Sequence, residues 1–393
     1  MIASRRCDEL WPVHLKPKDD ELLSSWLVRL ARSNGSKLHT FCSLAWPGKQ
    51  IWNRDIDKST DTEIVEVLST KTGTPTERVQ ATTLANYENV LYEKHNRFGP
   101  SSWIMPVGVY HRIHKQFGLQ YCPQCLAEDK EPYYRRKWRL AFITSCERHY
   151  VLLHDRCPKC GKAINFHRDE LGNHRKFVAV SLTLCHVCRF DLQTIQDKLI
   201  IPVTCAEVEF NTRLLKAMNA GFTQVGEAMV TYSHLFFSGL RQLMKVLAMR
   251  NERIVKLRQA ISKAYGVETY TPSVLESADI QELGIGARRQ LLGIARCLVE
   301  EWPHRFIEFS QKFKVWSSLW LSHLEPPMKG RATVAPFWFW SVVHDYLYRA
   351  KYCPSDEEIA SAIKYLKRNG KPVNQSKLAE LLGVAVLRRR VTV

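Results

Sequence analysis

The first strongly amphipathic segment of the chain follows two aspartates, Asp19 and Asp20. Apolar residues then recur at intervals of three and four, which places their side chains on one face of a helix. Either aspartate can cap the start of this helix, and Asn34-Gly35 provides a stop signal. The pattern therefore predicts an amphipathic helix with a buried face formed by Leu22, Leu23, Trp26, Leu27 and Leu30.

A second helical pattern occupies residues 64–84. Apolar residues from Ile64 to Leu68 precede the stop signal Thr72-Gly73, and Thr74-Pro75-Thr76-Glu77 has the composition of a capped start of a further helix. Two short helices around a glycine-containing turn fit a helix-turn-helix motif. Any hairpin of two helices gives the same pattern, so both interpretations stay open here.

Residues 117–203 differ in kind from the rest of the chain. They hold seven of the twelve cysteines, and the apolar runs Lys176 to Leu184 and Leu199 to Val203 predict short strands. After Cys205 the helical pattern returns, with breaks expected near Gly266, Tyr270-Thr271-Pro272 and Pro326-Pro327. The main helical candidates are residues 206–220, 234–265, 287–313 and 336–349.

The last forty residues have their own helix signals. Ser355 can cap a helix that runs from Asp356 to Asn369 and stops at Gly370, and Asn374-Gln375-Ser376 opens a second helix that ends at Gly383. Two helices, a short turn and a basic end predict a second helix-turn-helix unit. Only ten residues follow Gly383, so any recognition helix would be short.

These patterns together predict a mainly α fold class with a small central zinc-ribbon or zinc-finger module that contains β-structure, and with helix-turn-helix units at both ends. Paired units of this kind are compatible with a homodimer. The predicted domains are an N-terminal helical domain (1–116), a double zinc-finger domain (117–203), a second helical domain (204–350) and a C-terminal helix-turn-helix unit (351–393).

Composition narrows the class of protein. Apolar residues make up 45% of the 393 residues and charged residues 24%, which excludes a wholly disordered or collagen-like chain. No apolar run approaches the roughly 18–20 residues of a membrane span, and the N-terminus lacks a secretory signal. We therefore expect a cytoplasmic protein without a membrane partner, in which cysteines are more often metal ligands than disulfides.

The charge balance is strongly basic. The chain has 57 Lys and Arg against 39 Asp and Glu, a formal net charge of +18. Such an excess is typical of proteins that bind phosphate backbones, although composition does not say which nucleic acid. A basic protein without a polyanionic partner remains the alternative.

Four ligand pairs, each with two intervening residues, stand out in the central region. Zinc prefers four sulfur or nitrogen ligands in a tetrahedron, and a tight turn supplies two of them at this spacing. Joining the pairs in sequence needs the shorter loop closures, whereas joining the first with the third and the second with the fourth gives a cross-braced alternative. The pairs are Cys122 and Cys125, Cys146 and His149, Cys157 and Cys160, and Cys185 and Cys188.

Eight ligands fill two sites, which predicts two Zn²⁺ ions. A catalytic zinc keeps one position open for water or substrate, so four protein ligands at each site predict structural rather than catalytic metal. Redox-active or merely buried cysteines would not be expected to form four such pairs. The other five cysteines lack a partner at ligand spacing and are expected in the core: Cys7, Cys42, Cys205, Cys297 and Cys353.

Candidate nucleic-acid or partner contacts lie in two places. Between the first two ligand pairs, basic residues alternate with aromatic ones from Tyr133 to Arg139, a composition that can hold a phosphate backbone while a ring packs on a base. The alternative is that Trp138 and Phe142 pack around the metal while the arginines are solvated. The candidate cations are Arg135, Arg136, Lys137 and Arg139 here, and Lys377, Arg388, Arg389 and Arg390 near the C-terminus.

Two separated segments resemble the TniQ family. The stretch Asp20-Glu21-Leu22-Leu23-Ser24-Ser25-Trp26-Leu27-Val28-Arg29-Leu30-Ala31 is similar to the family's opening signature. Its zinc-finger segment resembles Tyr121 to Leu126, Trp138-Arg139, Cys146 to His149 and Cys157-Pro158-Lys159-Cys160. The resemblance covers roughly residues 15–190.

The resemblance implies an accessory protein of bacterial DNA transposition, related also to TnsD target selectors. Such proteins choose the insertion site and recruit an AAA+ ATPase regulator, either at a fixed attachment site or together with an RNA-guided CRISPR effector complex. Neither route is catalysis, and the chain has no Gly-x-x-x-x-Gly-Lys-Ser/Thr loop of its own. A zinc-containing transcription regulator that binds a short palindrome is the main alternative, and a zinc hydrolase would need an open metal position.

Overall fold

The structure is a computed structural model that describes residues 10–168, 181–227, 229–272, 279–322, 335–348 and 354–384. The chain divides into two compact units, Met1–Leu347 and Tyr348–Val393. Helices predominate in both, and the few strands are short. The mainly α fold class is therefore confirmed.

The helices of the first unit fall into two groups in chain order. Residues 10–168 contain α1 (Leu23–Ser33), α2 (Leu38–Ala45), α3 (Ile56–Ser59), α4 (Thr62–Thr72), α5 (Thr76–Gln80) and α6 (Pro123–Glu128). Residues after 200 contain α7 (Cys205–Ala220), α8 (Ser233–Leu247), α9 (Glu252–Tyr265), α10 (Ile285–Glu300), α11 (His304–Lys312), α12 (Ser317–Trp320) and α13 (Phe337–Leu347). None of the helices in the described residues is long and apolar enough to cross a membrane.

Three antiparallel hairpins accompany the helices. They are formed by β1 (Val109–Tyr110) with β2 (Ile113–His114), β3 (Ser145–Cys146) with β4 (Val151–Leu152), and β5 (Phe222–Val225) with β6 (Met229–Tyr232). The first two pairs have only two residues in each strand, with Val109 opposite His114 and Cys146 opposite Val151. The second hairpin contains the predicted metal ligand Cys146 in its first strand.

Helix α1 confirms the first sequence prediction except at its start. The helix ends at Asn34, followed by Gly35 at φ +64°, as the stop signal predicted. It begins after Leu22 without a side-chain cap, so the expected capping by Asp19 or Asp20 is wrong. Asp20 instead accepts hydrogen bonds from residues of the central region, described below.

The two helices predicted at residues 64–84 are present. Asp61 caps α4 by accepting a hydrogen bond from the Ile64 backbone, and Gly73 ends it in the left-handed conformation. The following helix, α5, has only five residues. Five residues rise about 7 Å, well short of the roughly 12 Å major groove, so this pair has the dimensions of a packing hairpin rather than of a DNA-reading motif.

The strands predicted around the later cysteines do not form in the described residues. Leu184 makes one isolated bridge to Asp191, and Pro202 makes one to Val151, while residues 176–180 lie outside the described part of the chain. The chain around these cysteines consists of irregular turns, and Leu182 is buried among them without forming a strand.

The later helices follow the predicted ranges with two interruptions. Residues 234–265 divide into α8 and α9 because Asn251 starts a new helix with its own side-chain cap. Residues 287–313 divide into α10 and α11 around Pro303, which cannot continue the first helix. The hairpin β5–β6 was not predicted, and the expected Pro326-Pro327 break lies outside the described residues.

A continuous hydrophobic core extends from Leu22 to Leu347 and crosses the predicted boundaries near residues 116 and 203. Buried polar contacts tie the regions together: Trp103 donates from Nε1 to the Phe237 carbonyl at 3.0 Å, and Arg288 donates to Gln120 Oε1 at 2.9 Å. The central cysteine region is thus packed into the helical unit. Of the cysteines expected in this core, Cys42 and Cys297 are buried, Cys205 is exposed, and Cys7 and Cys353 lie outside the described residues.

The second unit contains α14 (Asp356–Arg368) and α15 (Gln375–Leu381). Ser355 and Asn374 cap these helices, as the sequence predicted. A small core of its own joins them, formed by Ile359, Ala362, Leu366, Leu378 and Ala379. The two helices are confirmed, while a DNA-reading role for them stays a prediction, and Arg388, Arg389 and Arg390 lie outside the described residues.

Candidate metal centres

The first centre brings together the first two ligand pairs. Cys122 and Cys125 stand at the start of α6, and the hairpin β3–β4 supplies Cys146 and His149. The Nδ1 atom of His149 lies 3.4 Å from the Sγ atoms of all three cysteines, and the Sγ atoms of Cys125 and Cys146 are 3.6 Å apart. Three thiols and one imidazole nitrogen therefore converge on one point.

The second centre joins the other two pairs. The Sγ atoms of Cys157 and Cys188 are 3.6 Å apart, and so are those of Cys160 and Cys185. All four ligand atoms lie within 4.8 Å of one another. The sequential pairing is therefore the one that the chain adopts, and the cross-braced alternative is wrong.

The local backbone explains how two intervening residues suffice. The residue after the second ligand of three pairs adopts the left-handed conformation: Tyr150 at φ +52°, Gly161 at +68° and Arg189 at +59°. Its backbone N–H donates to the carbonyl of the first ligand, at 2.9 Å for Gly161 and 3.0 Å for Arg189. This closed turn directs both ligand side chains to the same side. In the remaining pair, Pro123 opens a helix and the same convergence results.

The spacing fits a tetrahedral metal site. With metal–sulfur distances of about 2.3 Å and a metal–nitrogen distance of about 2.0 Å, neighbouring ligand atoms in a tetrahedron lie roughly 3.5–3.8 Å apart. The distances of 3.4–3.6 Å in both clusters match this separation. The two clusters could hold two metal ions, and four protein ligands at each would leave no position for a substrate.

Glu128 supports the first centre from outside the ligand set. Its Oε1 atom lies 2.9 Å from His149 Nε2, so the imidazole turns Nδ1 toward the cysteines. The other carboxylate oxygen of Glu128 accepts from Arg148 Nη2 at 2.7 Å. A carboxylate behind a ligating histidine orients the ring and makes it a better metal ligand. Sequence analysis missed this residue, because its position three residues after Cys125 resembles any exposed helical glutamate.

The basic and aromatic segment between the first two pairs is largely paired with acidic groups. Arg139 is only 1% exposed and donates to Asp55 Oδ2 at 2.6 Å. Arg135 is buried, donates to Asp129 at 2.8 Å and stacks on Trp138. Because both arginines are buried, they are not accessible to a phosphate backbone.

The other two cations of this segment are half-buried and are also paired. Arg136 lies 3.4 Å from Asp20 and over the Tyr87 ring, and Lys137 pairs with Glu147 at 2.6 Å. Trp138 and Phe142 are both buried. Trp138 lines a cavity with Cys125 and Cys146, as the alternative of packing around the metal predicted, whereas Phe142 packs against Trp103 and Phe237. The arginines are not merely solvated, as that alternative assumed. In the second unit, Lys377 is exposed and pairs with Glu380 at 2.7 Å.

The segment that carries the family signature lies directly against this basic segment. The Arg136 backbone donates to the Asp20 carbonyl at 2.6 Å, and the Leu22 backbone donates to the Tyr134 carbonyl at 2.9 Å. Glu21 is buried and accepts from Arg29 Nη1 at 2.6 Å. The signature segment is thus attached to the segment Tyr133 to Arg139, which lies between the first two ligand pairs.

Two carboxylates share the buried guanidinium of Arg139. Burial raises the pKa of Asp57 to about 6, and the neighbouring Asp55 carboxylate adds to the shift. Burial opposes ionisation of Asp55 as well, but the charge and hydrogen bond of Arg139, together with the charges of His114 and Lys58, outweigh it and lower the pKa of Asp55. Asp57 also accepts from the backbone and hydroxyl of Ser24 at 2.8 and 2.9 Å, so this network connects α1, α3 and the basic segment.

The fold and the two centres define a class: a mainly helical protein with two Cys/His clusters of zinc-finger type built into its core. Residues 12–153 match the model of the TniQ family. The expected resemblance is confirmed over this segment, which contains α1 and the first centre, whereas the second centre lies beyond it. A comparison with curated proteins gives no match to this chain.

The TniQ match fits a role in transposition target selection in general terms. TniQ is a family of non-catalytic transposition accessory proteins, which is consistent with a protein that is not an enzyme. A metal centre filled by four protein ligands stabilises a fold rather than activates water.

Proposed function

We propose that this protein selects the target site in bacterial DNA transposition. In this role it links a target-recognition complex, or the target DNA itself, to the AAA+ ATPase regulator that brings in the transposase. The observation that carries the proposal is the TniQ match over residues 12–153. The backbone contacts of Asp20 with Arg136 and of Leu22 with Tyr134 support it, since they join two distant parts of the matched segment.

Both centres are proposed to bind structural Zn²⁺. Thiolates and imidazole nitrogen are the ligands that zinc prefers, and the 3.4–3.6 Å ligand separations suit its tetrahedral geometry. Bound metal would hold α6, the hairpin β3–β4 and the irregular turns around residues 157–188 in place. It would take no part in a reaction.

The dimensions of the second unit favour an adaptor over an independent reader of DNA sequence. Helix α15 has seven residues and rises about 10 Å, slightly less than the roughly 12 Å width of the major groove. Such a helix presents few side chains to base edges. We therefore expect the isolated protein to bind duplex DNA weakly and without marked sequence preference, and to reach its target with a protein or ribonucleoprotein partner such as a CRISPR effector complex.

A reconstituted transposition reaction tests the role directly. The reaction contains the element's transposase, its AAA+ regulator and the target-recognition complex, with or without this protein. Omission should abolish insertion at the natural target while leaving any untargeted insertion in place. Insertion that stays targeted without the protein would overturn the proposal.

A binding titration separates the two routes to the target. The purified protein is titrated with the natural insertion site and with a scrambled duplex at physiological salt. Similar affinities are expected for an adaptor. A preference of roughly a thousandfold or more for the natural site would instead identify a reader of a fixed attachment site, and the same preference for a short palindrome outside any element would identify a transcription regulator.

A further inference from the structure

Four arginines on the first unit differ from those near the metal centres. Arg54, Arg97, Arg112 and Arg168 come from separate segments, and none has a carboxylate within 4.0 Å among the residues that the structure describes. Two exposed rings lie beside them. Together these residues form what we call the arginine surface: Arg54, Arg97, Phe98, Tyr110, Arg112 and Arg168.

Phe98 forms one part of the arginine surface. Its side chain is 65% exposed, and two guanidinium groups approach the ring, that of Arg54 at 4.8 Å and that of Arg97 at 5.3 Å from the centroid. All three residues line a cavity of about 380 Å³. An exposed ring between two unpaired cations provides a stacking platform and phosphate-binding charge at one place.

Arg112 and Arg168 form the other part, around the turn between β1 and β2. His111 and Arg112 make this two-residue turn at φ +47° and +61°, a conformation that normally selects asparagine and glycine. The turn is held by His167 Nε2, 2.9 Å from the Arg112 carbonyl, and by Arg168 Nη1, 3.5 Å from the His111 carbonyl. Neighbouring contacts thus stabilise a strained turn that brings Arg112 beside Arg168.

One hydrogen bond connects the two parts. Arg112 Nε donates to Asn53 Oδ1 at 3.3 Å, and Asn53 directly precedes Arg54 in the chain. Tyr110, 62% exposed, stands at the β1 end of the turn with the Lys115 ammonium 5.9 Å from its ring centroid. Cations and exposed rings therefore alternate along one continuous stretch of surface.

The surrounding charges leave the arginine surface positive. Burial lowers the pKa of His39 to about 4, and the charges of Arg112 and Arg168 add to the shift. Among the residues that the structure describes, three carboxylates lie in the vicinity. Asp55 is paired with Arg139, Asp61 is paired with Lys49 and also interacts electrostatically with Arg97, and Glu282 is exposed and lines the same cavity as Phe98. Across the neighbouring cavity Lys49 pairs with Asp61 and Glu63. An external anion would supply the missing partners.

We propose that the arginine surface binds a single-stranded segment of DNA or RNA, with phosphates at Arg112 and Arg168 and an unpaired base stacked at Phe98. A duplex keeps its bases stacked inside, and inserting a ring between them costs a few kcal/mol per step, so the exposed ring favours a strand whose bases are free. The proposal goes beyond the transposition role, because it concerns a surface apart from both metal centres and a ligand that the purified protein binds alone. If the protein binds no single strand, the proposed role in transposition target selection is unaffected.

The test is a fluorescence anisotropy titration of the full-length, metal-loaded protein. The probes are an oligothymidine and an oligouridine of about 20 nucleotides and a duplex of the same length, each at several salt concentrations. The wild type should bind a single strand more tightly than the duplex. The comparison between oligothymidine and oligouridine shows whether DNA or RNA is preferred.

Two variants separate the charge contribution from the stacking contribution. The double substitution Arg112→Gln and Arg168→Gln should weaken binding by about tenfold or more at low salt, and the salt dependence should become shallower by about 0.7 per lost phosphate contact. Phe98→Ala should weaken binding by about fivefold or more with the salt dependence unchanged.

Matched controls lie elsewhere on the first unit. The pair Lys216→Gln and Lys263→Gln removes two charges from exposed positions outside the arginine surface, and Phe222→Ala removes a ring that is 56% exposed. Neither control should change binding. The melting temperature and metal content of every variant are measured to exclude unfolding, and if the double arginine variant unfolds, Phe98→Ala with Arg54→Gln decides.

Three outcomes would overturn the proposal. They are no single-strand binding by the wild type at low salt, equal losses in the surface variants and in the controls, and duplex binding as tight as single-strand binding that Phe98→Ala leaves unchanged. Binding that weakens only in the surface variants supports it.

Discussion

Two regions of this protein combine basic and aromatic residues, and they have opposite environments. In the segment Tyr133 to Arg139 the cations are buried or half-buried beside carboxylates, as in the pairs of Arg139 with Asp55 and of Arg135 with Asp129. On the arginine surface the corresponding cations have no such partner among the described residues. The comparison shows that the composition of a basic segment does not reveal whether its charges are available to a ligand.

The physical reason is the cost of burying a charge. A guanidinium that leaves water must gain an ion pair and hydrogen bonds, or the fold loses several kcal/mol. The segment Tyr133 to Arg139 lies between α1 and the first metal centre, so its arginines are buried and their partners are built into the fold. The arginine surface stays in contact with water, where an unpaired cation costs little.

The largest expected effect concerns the metal ions proposed at the two centres, the first of which lies against the segment Tyr133 to Arg139, called the paired segment here. The wild type should contain two zinc ions per chain, and Cys125→Ser should lose one of them together with several kcal/mol of stability, because a structural zinc site contributes folding free energy. Cys157→Ser should do the same at the second centre. Elemental analysis and thermal melting provide the measurements; one ion or none in the wild type, or wild-type melting of either variant, would contradict the assignment.

Arg139→Ala tests the paired segment itself. The substitution leaves Asp55 and Asp57 buried without their cation, so the free energy of unfolding should fall by about 3–5 kcal/mol. Urea denaturation of the metal-loaded protein measures the change. If the free energy of unfolding falls by less than about 1 kcal/mol, Arg139 does not stabilise the fold. The two basic regions would then not differ in the role of their arginines.

The carboxylates around Arg139 also predict a pH dependence. Burial raises the pKa of Asp57 to about 6 from the 3.8 of an aspartate in an unfolded chain, so the folded state binds its proton more tightly than the unfolded chain does. The stabilisation is complete below about pH 3.8 and is lost as pH rises through 6. Relative to Asp57→Asn, the wild type should therefore lose about 1 kcal/mol of stability between pH 5 and pH 7.

Comparison with this variant removes every contribution that is the same in both proteins, including that of the metal centres. Parallel curves for wild type and Asp57→Asn across this range would show that Asp57 is ionised throughout. That result would contradict the raised pKa of Asp57 beside Asp55 and Arg139.

The smallest effect is expected on the arginine surface. Arg97→Gln and Arg54→Gln should each change the free energy of unfolding by no more than about 0.5 kcal/mol, because both side chains are exposed and have no ion pair among the described residues. The measurement is the same urea denaturation as for Arg139→Ala. A loss above about 1 kcal/mol would show that these arginines stabilise the fold, as those of the paired segment do.

The sequence by itself determined the features that depend on short stretches of chain. Two-residue spacing identified the four ligand pairs, since one closed turn suffices to direct both side chains to a metal. Likewise, the caps Ser355 and Asn374 and the left-handed Gly73 were predictable, because each acts on its own helix.

Only the tertiary structure decided which polar residues face each other across the chain. Asp20 is a residue type that often caps helices, but here it accepts hydrogen bonds from Arg136 and Lys137, more than a hundred residues away. The arginine surface likewise brings together residues 53–54, 97–98, 110–112 and 168, which no local pattern relates. Local spacing sets backbone turns and ligand geometry, whereas burial sets the state of a charge, and burial follows from how distant segments pack.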